Sequence, residues 1–226
     1  MTHIILVPQG AEYQAVCRGL SRVSGSKPTV IAIPVGIKSL TTYLHKLQAQ
    51  GQFPHHPQMK VLLMGLCGSL TPMHTVGDIV LYQDCVYQGK QQECDRTFTA
   101  EIHSHLNSPV TLVKSLTSDR LVWSAAEKRR LGEKFAADVV DMEGFAALEF
   151  FNALAVSVAM LRVVSDDCHH DIPDLTSAIS ADGSLKPFPL AWELLRQPVG
   201  ATRLIRGSLR GLKVLEKVIK PSLGAH

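Results

Sequence analysis

The stretch "DVVDMEGFAALEF", residues 138–150, decides how this chain is read. An apolar pair, Val139-Val140, leads into Asp141-Met142-Glu143-Gly144 and then into a block of small and aromatic residues. The first part reads as the end of a buried strand, the second as a helix that packs in a core. Three carboxylates, Asp138, Asp141 and Glu143, crowd the junction. A carboxylate at the start of a helix is favoured by the exposed N–H groups there. In α/β folds the same place, the C-terminal edge of a strand, is where ligands bind. Ionised, Glu143 can accept from two vicinal hydroxyls, such as the 2′ and 3′ groups of a ribose.

Outward from this junction the pattern repeats. "HIILVP", "TVIAIPVG", "VGDIVLYQDCVYQG", "PVTLVKSLTS" and "VSVAMLRVVSDD" read as apolar strands, and "KVLLMGLCGSL" as a strand running into a Gly-containing turn. Between them "AEYQAVCRGLS" and "IKSLTTYLHKLQAQG" have helical spacing, and "AAEKRRLGEKF" reads as a surface helix. Residues 88–110 are polar without a clear period, and 171–200, with four prolines, read as loop. Apolar strands alternating with helices imply an α/β domain with a parallel or mixed sheet covered on both faces. No repeat or long linker divides it, so residues 1–226 read as one domain with a basic C-terminal helix at about 200–220.

Composition narrows the class. The chain is 46% hydrophobic and 19% charged, as expected of a compact globular protein. Five cysteines at irregular spacing, with no CxxC pair, read as reduced thiols of a cytoplasmic protein; no ligand pair has zinc spacing, and no metal or cofactor is expected. The N-terminus lacks the basic and apolar regions of a signal peptide. Net charge is +3, but Arg203, Arg206, Arg210, Lys213, Lys217 and Lys220 face only Glu216 in residues 203–220. The remainder is slightly acidic, which argues against nucleic acid as a partner. The six basic residues form one stripe along a helix, suited to a peripheral contact with an anionic membrane.

A second junction, "MLRVVSDD", ends an apolar strand in Ser165, Asp166 and Asp167. A hydrogen-bonded Asp at such an edge can serve as a general acid. His169 and His170 come soon after and could titrate near neutral pH beside it.

Together, "VVDMEGFAALEF" and "RVVSDD" resemble the purine nucleoside phosphorylase and uridine phosphorylase superfamily, which includes the methylthioadenosine/S-adenosylhomocysteine nucleosidases. "MGLCGSL" with "VGDIVLYQD", and "VPQGAEYQAV", resemble further motifs of that family in the same order. The resemblance, from about residue 3 to residue 167, implies a three-layer αβα sandwich around a mixed sheet and cleavage of a purine nucleoside's N-glycosidic bond. It implies Asp166 as the acid on the departing purine, oriented by Ser165, and Glu12 as the base that activates water. Glu143 and Met142 would hold the ribose. Leu66 and Gly68 would line the site, and Ser118, Leu121 and Val122 would surround the base. It also implies a homo-oligomer, with the dimer favoured.

Two departures bear on the substrate. Leu66 stands where many relatives carry Ser or Thr, and Leu121 where typical methylthioadenosine nucleosidases carry Phe. The last sixty residues look more like the hopanoid-associated phosphorylase branch, linked to adenine release from adenosylhopane. Because Glu12 is present and the early strands show no clear pair of phosphate-binding arginines, hydrolysis of a 5′-modified adenosine stands first. Phosphorolysis, with phosphate as co-substrate, is the alternative, and a non-catalytic nucleoside sensor is another. A dinucleotide enzyme is disfavoured because "GLCGSL" is not GxGxxG.

Overall fold

The computed structural model describes residues 3–22, 27–52, 59–178 and 187–222. Eight strands and seven α-helices alternate in it. They are β1 (His3–Pro8), α1 (Ala11–Ser21), β2 (Thr29–Ile33), α2 (Ile37–Ala49), β3 (Lys60–Ser69), β4 (Ile79–Tyr87), β5 (Lys90–Glu93) and α3 (Arg96–His105). Next come β6 (Val110–Thr117), α4 (Ala125–Phe135), β7 (Val139–Asp141), α5 (Gly144–Ala153), β8 (Ser157–Asp166), α6 (Pro187–Arg196) and α7 (Pro198–Ser222). A 3₁₀ turn, Thr176–Ala178, precedes α6.

The sheet is mixed, in the order β2-β1-β3-β7-β6-β4-β5, and β8 pairs with both β3 and β4. β8 runs parallel to β3 along its length and antiparallel to β4. These pairings close β3, β7, β6, β4 and β8 into a ring of hydrogen-bonded neighbours, from which β1 and β2 extend on one side and β5 on the other.

The inner strands β3 and β8 are apolar along nearly their whole length because both faces of the sheet are covered. On one face Leu40 and Leu44 of α2 and Phe145, Leu148 and Phe151 of α5 pack against Leu6, Leu63, Val80 and Met160. On the other, Val16 and Leu20 of α1, Phe98 and Ile102 of α3, and Leu215 and Ile219 of α7 pack against Ile5, Leu62, Leu81 and Leu161. The three expected layers are thus present. Truncating one of these fully buried leucines to alanine would cost about 2–5 kcal/mol.

Four sequence expectations need correction. "GLCGSL" is no turn: β3 continues through Gly65 and Gly68 to Ser69. Residues 88–110 form β5 and α3, the latter capped by Asp95, whose carboxylate accepts from the Phe98 N–H at 2.7 Å. Residues 171–200 contain α6 and the start of α7, because Pro187 and Pro198 open helices, where no intrahelical N–H is required. Finally, α4 is not simply a surface helix, since Lys128 on it is fully buried.

Candidate active site

The opening junction shows how its three carboxylates are used. Asp138 accepts from the Lys114 N–H at 3.0 Å and so ties β6 to the end of the α4 connection. Asp141 caps α5: its carboxylate accepts from the Gly144 N–H at 3.1 and 3.2 Å, and from the Thr117 hydroxyl at 2.9 Å. Thr117 Oγ1 in turn accepts from the Phe145 N–H at 2.9 Å. With the helix start satisfied by Asp141 and Thr117, Glu143 makes no side-chain capping bond. That corrects the reading of Glu143 as a helix-end charge. Its carboxylate accepts instead from the Gly36 N–H at 3.1 Å, across the loop between β2 and α2.

Beneath these groups lies Arg162 of β8, fully buried. It donates to Asp141 Oδ2 at 3.0 Å and to Glu143 Oε2 at 3.3 Å. Burial works against its charge, but Asp141 and Glu143, with Tyr82 and Glu12 further off, raise its proton affinity overall. Glu12, in the first turn of α1, reaches the same cluster. Its Oε1 accepts from the Leu66 N–H at 2.6 Å. Burial pushes Glu12 up to about 7; Arg162 opposes the shift, Glu143 adds to it, and the Leu66 N–H opposes it. Burial also raises Glu143, again against Arg162. Burial thus lets Glu12 keep its proton to near neutral pH, even beside the Arg162 guanidinium.

The glycines of β3 explain how these groups fit. A Cβ on Gly65 would lie 2.3 Å from Arg162 Nη1 and 2.7 Å from Glu12 Oε1. A Cβ on Gly68 would lie 2.8 Å from Asp166 Oδ2. Both positions are vacancies that let side chains from β8 and α1 pass across the strand. β8 also bulges here: Cys67 pairs with Val164, but Gly68 pairs with Asp166, leaving Ser165 as the extra residue. A one-residue insertion re-aims the residue after it, and here that residue is Asp166.

The Ser165 hydroxyl lies 2.8 Å from Asp166 Oδ1 and 3.2 Å from the Cys67 carbonyl. Lys128, reaching over from α4, donates to Asp166 Oδ2 and, at 3.0 Å, to the Asp167 carbonyl. α4 is anchored for this by the Ser124 hydroxyl, which accepts from the Glu127 N–H, and by Asp171, which accepts from the Ala125 N–H at 2.7 Å.

Above these residues lies one cleft of about 190 Å³. Glu12, Leu66, Gly68, Leu121, Val122, Met142, Glu143, Ser165 and Asp166 all line it. Ser118 is not on its wall, and its hydroxyl donates to the Arg120 carbonyl at 2.8 Å. His170 is likewise engaged elsewhere, with Asp167 at 3.0 Å. Burial pushes the Cys67 thiol well up, so Cys67 lines the cleft as an apolar group. Among the described residues no three His, Cys, Asp or Glu side chains gather as metal ligands would. Lys128 and Arg162 are site residues that sequence reasoning misses, although Arg162 lies within "MLRVVSDD".

The chain matches the family described as Phosphorylase superfamily over residues 19–182. It belongs to the phosphorylase superfamily. Solved structures of similar fold extend across the whole chain. The 5′-methylthioadenosine/S-adenosylhomocysteine nucleosidase of Helicobacter pylori, with butyl-thio-DADMe-Immucillin-A, is 16% identical, with a TM-score of 0.72 over 99% of this chain and 98% of that one. Futalosine hydrolase of Helicobacter pylori is 15% identical, with a TM-score of 0.72 over 99% of this chain and 97% of that one. The MTA/SAH nucleosidase of Streptococcus pneumoniae, with 8-aminoadenine, is 18% identical, with a TM-score of 0.62 over 96% and 100%. No curated protein matches the chain in sequence. At these identities the likeness within the superfamily speaks for the fold. Among the described residues no helix is long and apolar enough to cross a membrane, and the five cysteines are free thiols.

Proposed function

We propose that this chain cleaves the N-glycosidic bond of a purine nucleoside, a 5′-modified adenosine in particular, with water as the nucleophile. The observation that carries this reading is one cleft holding a buried carboxyl poised near neutrality, Glu12, and on another wall Asp166 hydrogen-bonded by a buried ammonium. A base on one side and an acid on the other is the arrangement that an inverting displacement at a sugar carbon requires.

Above about pH 7 Glu12 is ionised and can take a proton from water as the water attacks the anomeric carbon. Glu143 accepts from the ribose hydroxyls, and its charge favours the oxocarbenium character of the transition state. The purine leaves as an anion unless it is protonated. Lys128 and Asp166 together hold a transferable proton: as it passes to the purine through Asp166, Lys128 is left neutral, and the proton is restored by water in the cleft through Asp166, which lines it. Such acid assistance accelerates cleavage by about 10²–10⁴. Leu121 and Val122 offer the base an apolar wall.

Water is favoured over phosphate because the guanidinium nearest Glu12, Arg162, is committed to Asp141 and Glu143, while Arg120 on the cleft wall is paired with Glu127 at 2.6 Å. The test is adenine release from methylthioadenosine, S-adenosylhomocysteine, adenosine and 5′-deoxyadenosine, with and without phosphate. Release without phosphate, lost in Asp166→Asn and Glu12→Gln, is the expected result. Release only with phosphate, yielding a ribose 1-phosphate, would remove Glu12 from the reaction and make the chain a phosphorylase. Binding of a nucleoside without cleavage would make it a sensor.

A further inference from the structure

Helix α7 lies across the end of β8 so closely that a Cβ on Gly207 would come within 2.0 Å of the Ser165 carbonyl oxygen. One on Gly211 would come within 2.8 Å of the Leu66 side chain. Beside this contact is a second cavity, of about 300 Å³, between α7 and the chain just after β8. Ser165 and Asp166 line it as they line the nucleoside cleft, so the two spaces share a wall.

On its α7 side the cavity is lined by Arg203, Arg206 and Arg210. Their spacing of three and four residues puts the guanidinium groups on one helix face, where like charges repel. Among the described residues none of the three forms an ion pair. Two carboxylates stand on the opposite wall, and both are engaged. Asp166 is held by Lys128 and Ser165. Asp167 accepts from the His169 and His170 N–H groups and pairs with the His170 ring. The acid of α7 itself, Glu216, pairs with Arg18 and Arg22 of the first helix region. Arg210 is also set in place by the backbone: Gly77 has φ +96°, and a Cβ there would come within 2.8 Å of the Arg210 Nε.

We propose that this cavity is an anion site, separate from the nucleoside cleft, that takes a phosphate group. Guanidinium forks match phosphate oxygens in pairs, and three of them line one side of a concave space whose two carboxylates are already engaged by other donors. The bound phosphate is not the nucleophile. Glu12 is absent from this wall, and the cavity backs onto Asp166, the side from which the purine is protonated. It fastens α7 to the catalytic end of β8. Inorganic phosphate, a phosphate monoester and the phosphate of an anionic lipid headgroup present the same chemistry. The inference needs only the geometry of α7, and it stands whether or not the chain proves to be a nucleosidase.

The experiment is calorimetric titration of the whole chain with inorganic phosphate at constant ionic strength, in the wild type and in Arg206→Ala/Arg210→Ala. The expected result is one saturable site that persists when adenosine fills the cleft and weakens about ten-fold or more in the double variant, with its circular dichroism unchanged. In a second arm, sedimentation with phosphatidylcholine vesicles containing phosphatidate asks for the lipid source. Pelleting that inorganic phosphate competes away, and that the double variant loses, assigns the site to a headgroup. Titration without pelleting assigns it to a soluble phosphate. No binding in either arm, displacement of phosphate by adenosine, or undiminished affinity in the double variant would overturn the proposal.

Discussion

Replacing Lys128 with methionine separates the chemistry of the acid from the architecture around it. The Lys128 side chain is fully buried and Asp166 is only 10% exposed. Removing one partner of a buried ion pair costs about 3–5 kcal/mol when the other is left uncompensated. Asp166 keeps the Ser165 hydroxyl and borders an open cleft, so the cost falls to the bottom of that range or just below it, about 2–3 kcal/mol. For a domain of this size each kcal/mol moves the melting midpoint about 2–4 °C, so Lys128→Met melts about 4–12 °C lower. Methionine fills the tunnel but supplies no proton, and kcat for adenine release falls by about 10²–10⁴, close to the loss in Asp166→Asn. Fluorimetric melting and an adenine assay on Lys128→Met, Asp166→Asn and the double variant give both readouts. The double variant has no more than the Asp166→Asn defect in kcat and regains stability relative to Lys128→Met, since neither charge is left alone. A Lys128→Met enzyme with wild-type kcat, or losses that multiply in the double variant, would refute the shared-proton reasoning.

The remaining predictions concern the other walls of the cleft. Because burial raises Glu12 to about 7, kcat/KM should rise with pH through about 7, and Glu12→Gln should flatten that limb. The same shift acts on stability with the opposite sense: the folded chain binds this proton more tightly than the unfolded chain, so its contribution is present below about pH 4.5 and fades as pH rises to about 7, measurable as a smaller pH slope in urea melts of Glu12→Gln. Arg162→Met leaves Asp141 and Glu143 facing each other in the core and should destabilise by about 3–5 kcal/mol in urea melts. Gly65→Ala drives a methyl into Arg162 and Glu12 and should cost about 1–3 kcal/mol together with most of the activity. Leu121→Phe adds an aromatic face at the wall lined by Leu121 and Val122, and should tighten binding of an adenine-bearing inhibitor by about two- to ten-fold in calorimetry.

Much of this architecture is legible in the sequence, and the illegible parts have physical causes. The apolar strands declare themselves because both faces of the sheet are covered. Asp166 and Glu143 draw notice because each stands at the end of an apolar strand, and the family resemblance, more than the local pattern, singles them out together with Glu12. Lys128 is hidden: within "AAEKRRLGEKF" it looks like its neighbours Lys134 and Arg130, and only Asp166, far along the chain, makes it a buried residue. Gly65 and Gly68 mislead because glycine signals two different things. One is freedom to turn, and the other is the absence of a side chain that would collide with an arginine or an aspartate arriving from the next strand. The position of Glu143 at the head of α5 is readable locally, but the hydrogen bonds that hold it come from Gly36 and Arg162, distant in sequence. The prolines of 171–200 suggest loop, yet a proline that opens a helix costs it no bond.

The placement of α7 has a consequence for the order in which the molecule is built. Gly19 of α1 sits where a Cβ would strike the Glu216 carbonyl at 2.3 Å, and Gly207 and Gly211 press α7 onto Ser165 and Leu66. The apolar face of α1 is therefore covered only once α7, 198 residues further along the chain at the Arg18–Glu216 pair, has packed on it, and the strand end that carries Asp166 lacks its outer support until then. Folding is dominated by contacts of long sequence separation, which are slow to form and leave apolar surface open meanwhile. Loss of α7 would reach well beyond the anion cavity: it would uncover Val16, Leu20 and the β8 end together, turning the removal of one helix into an assembly defect at the centre.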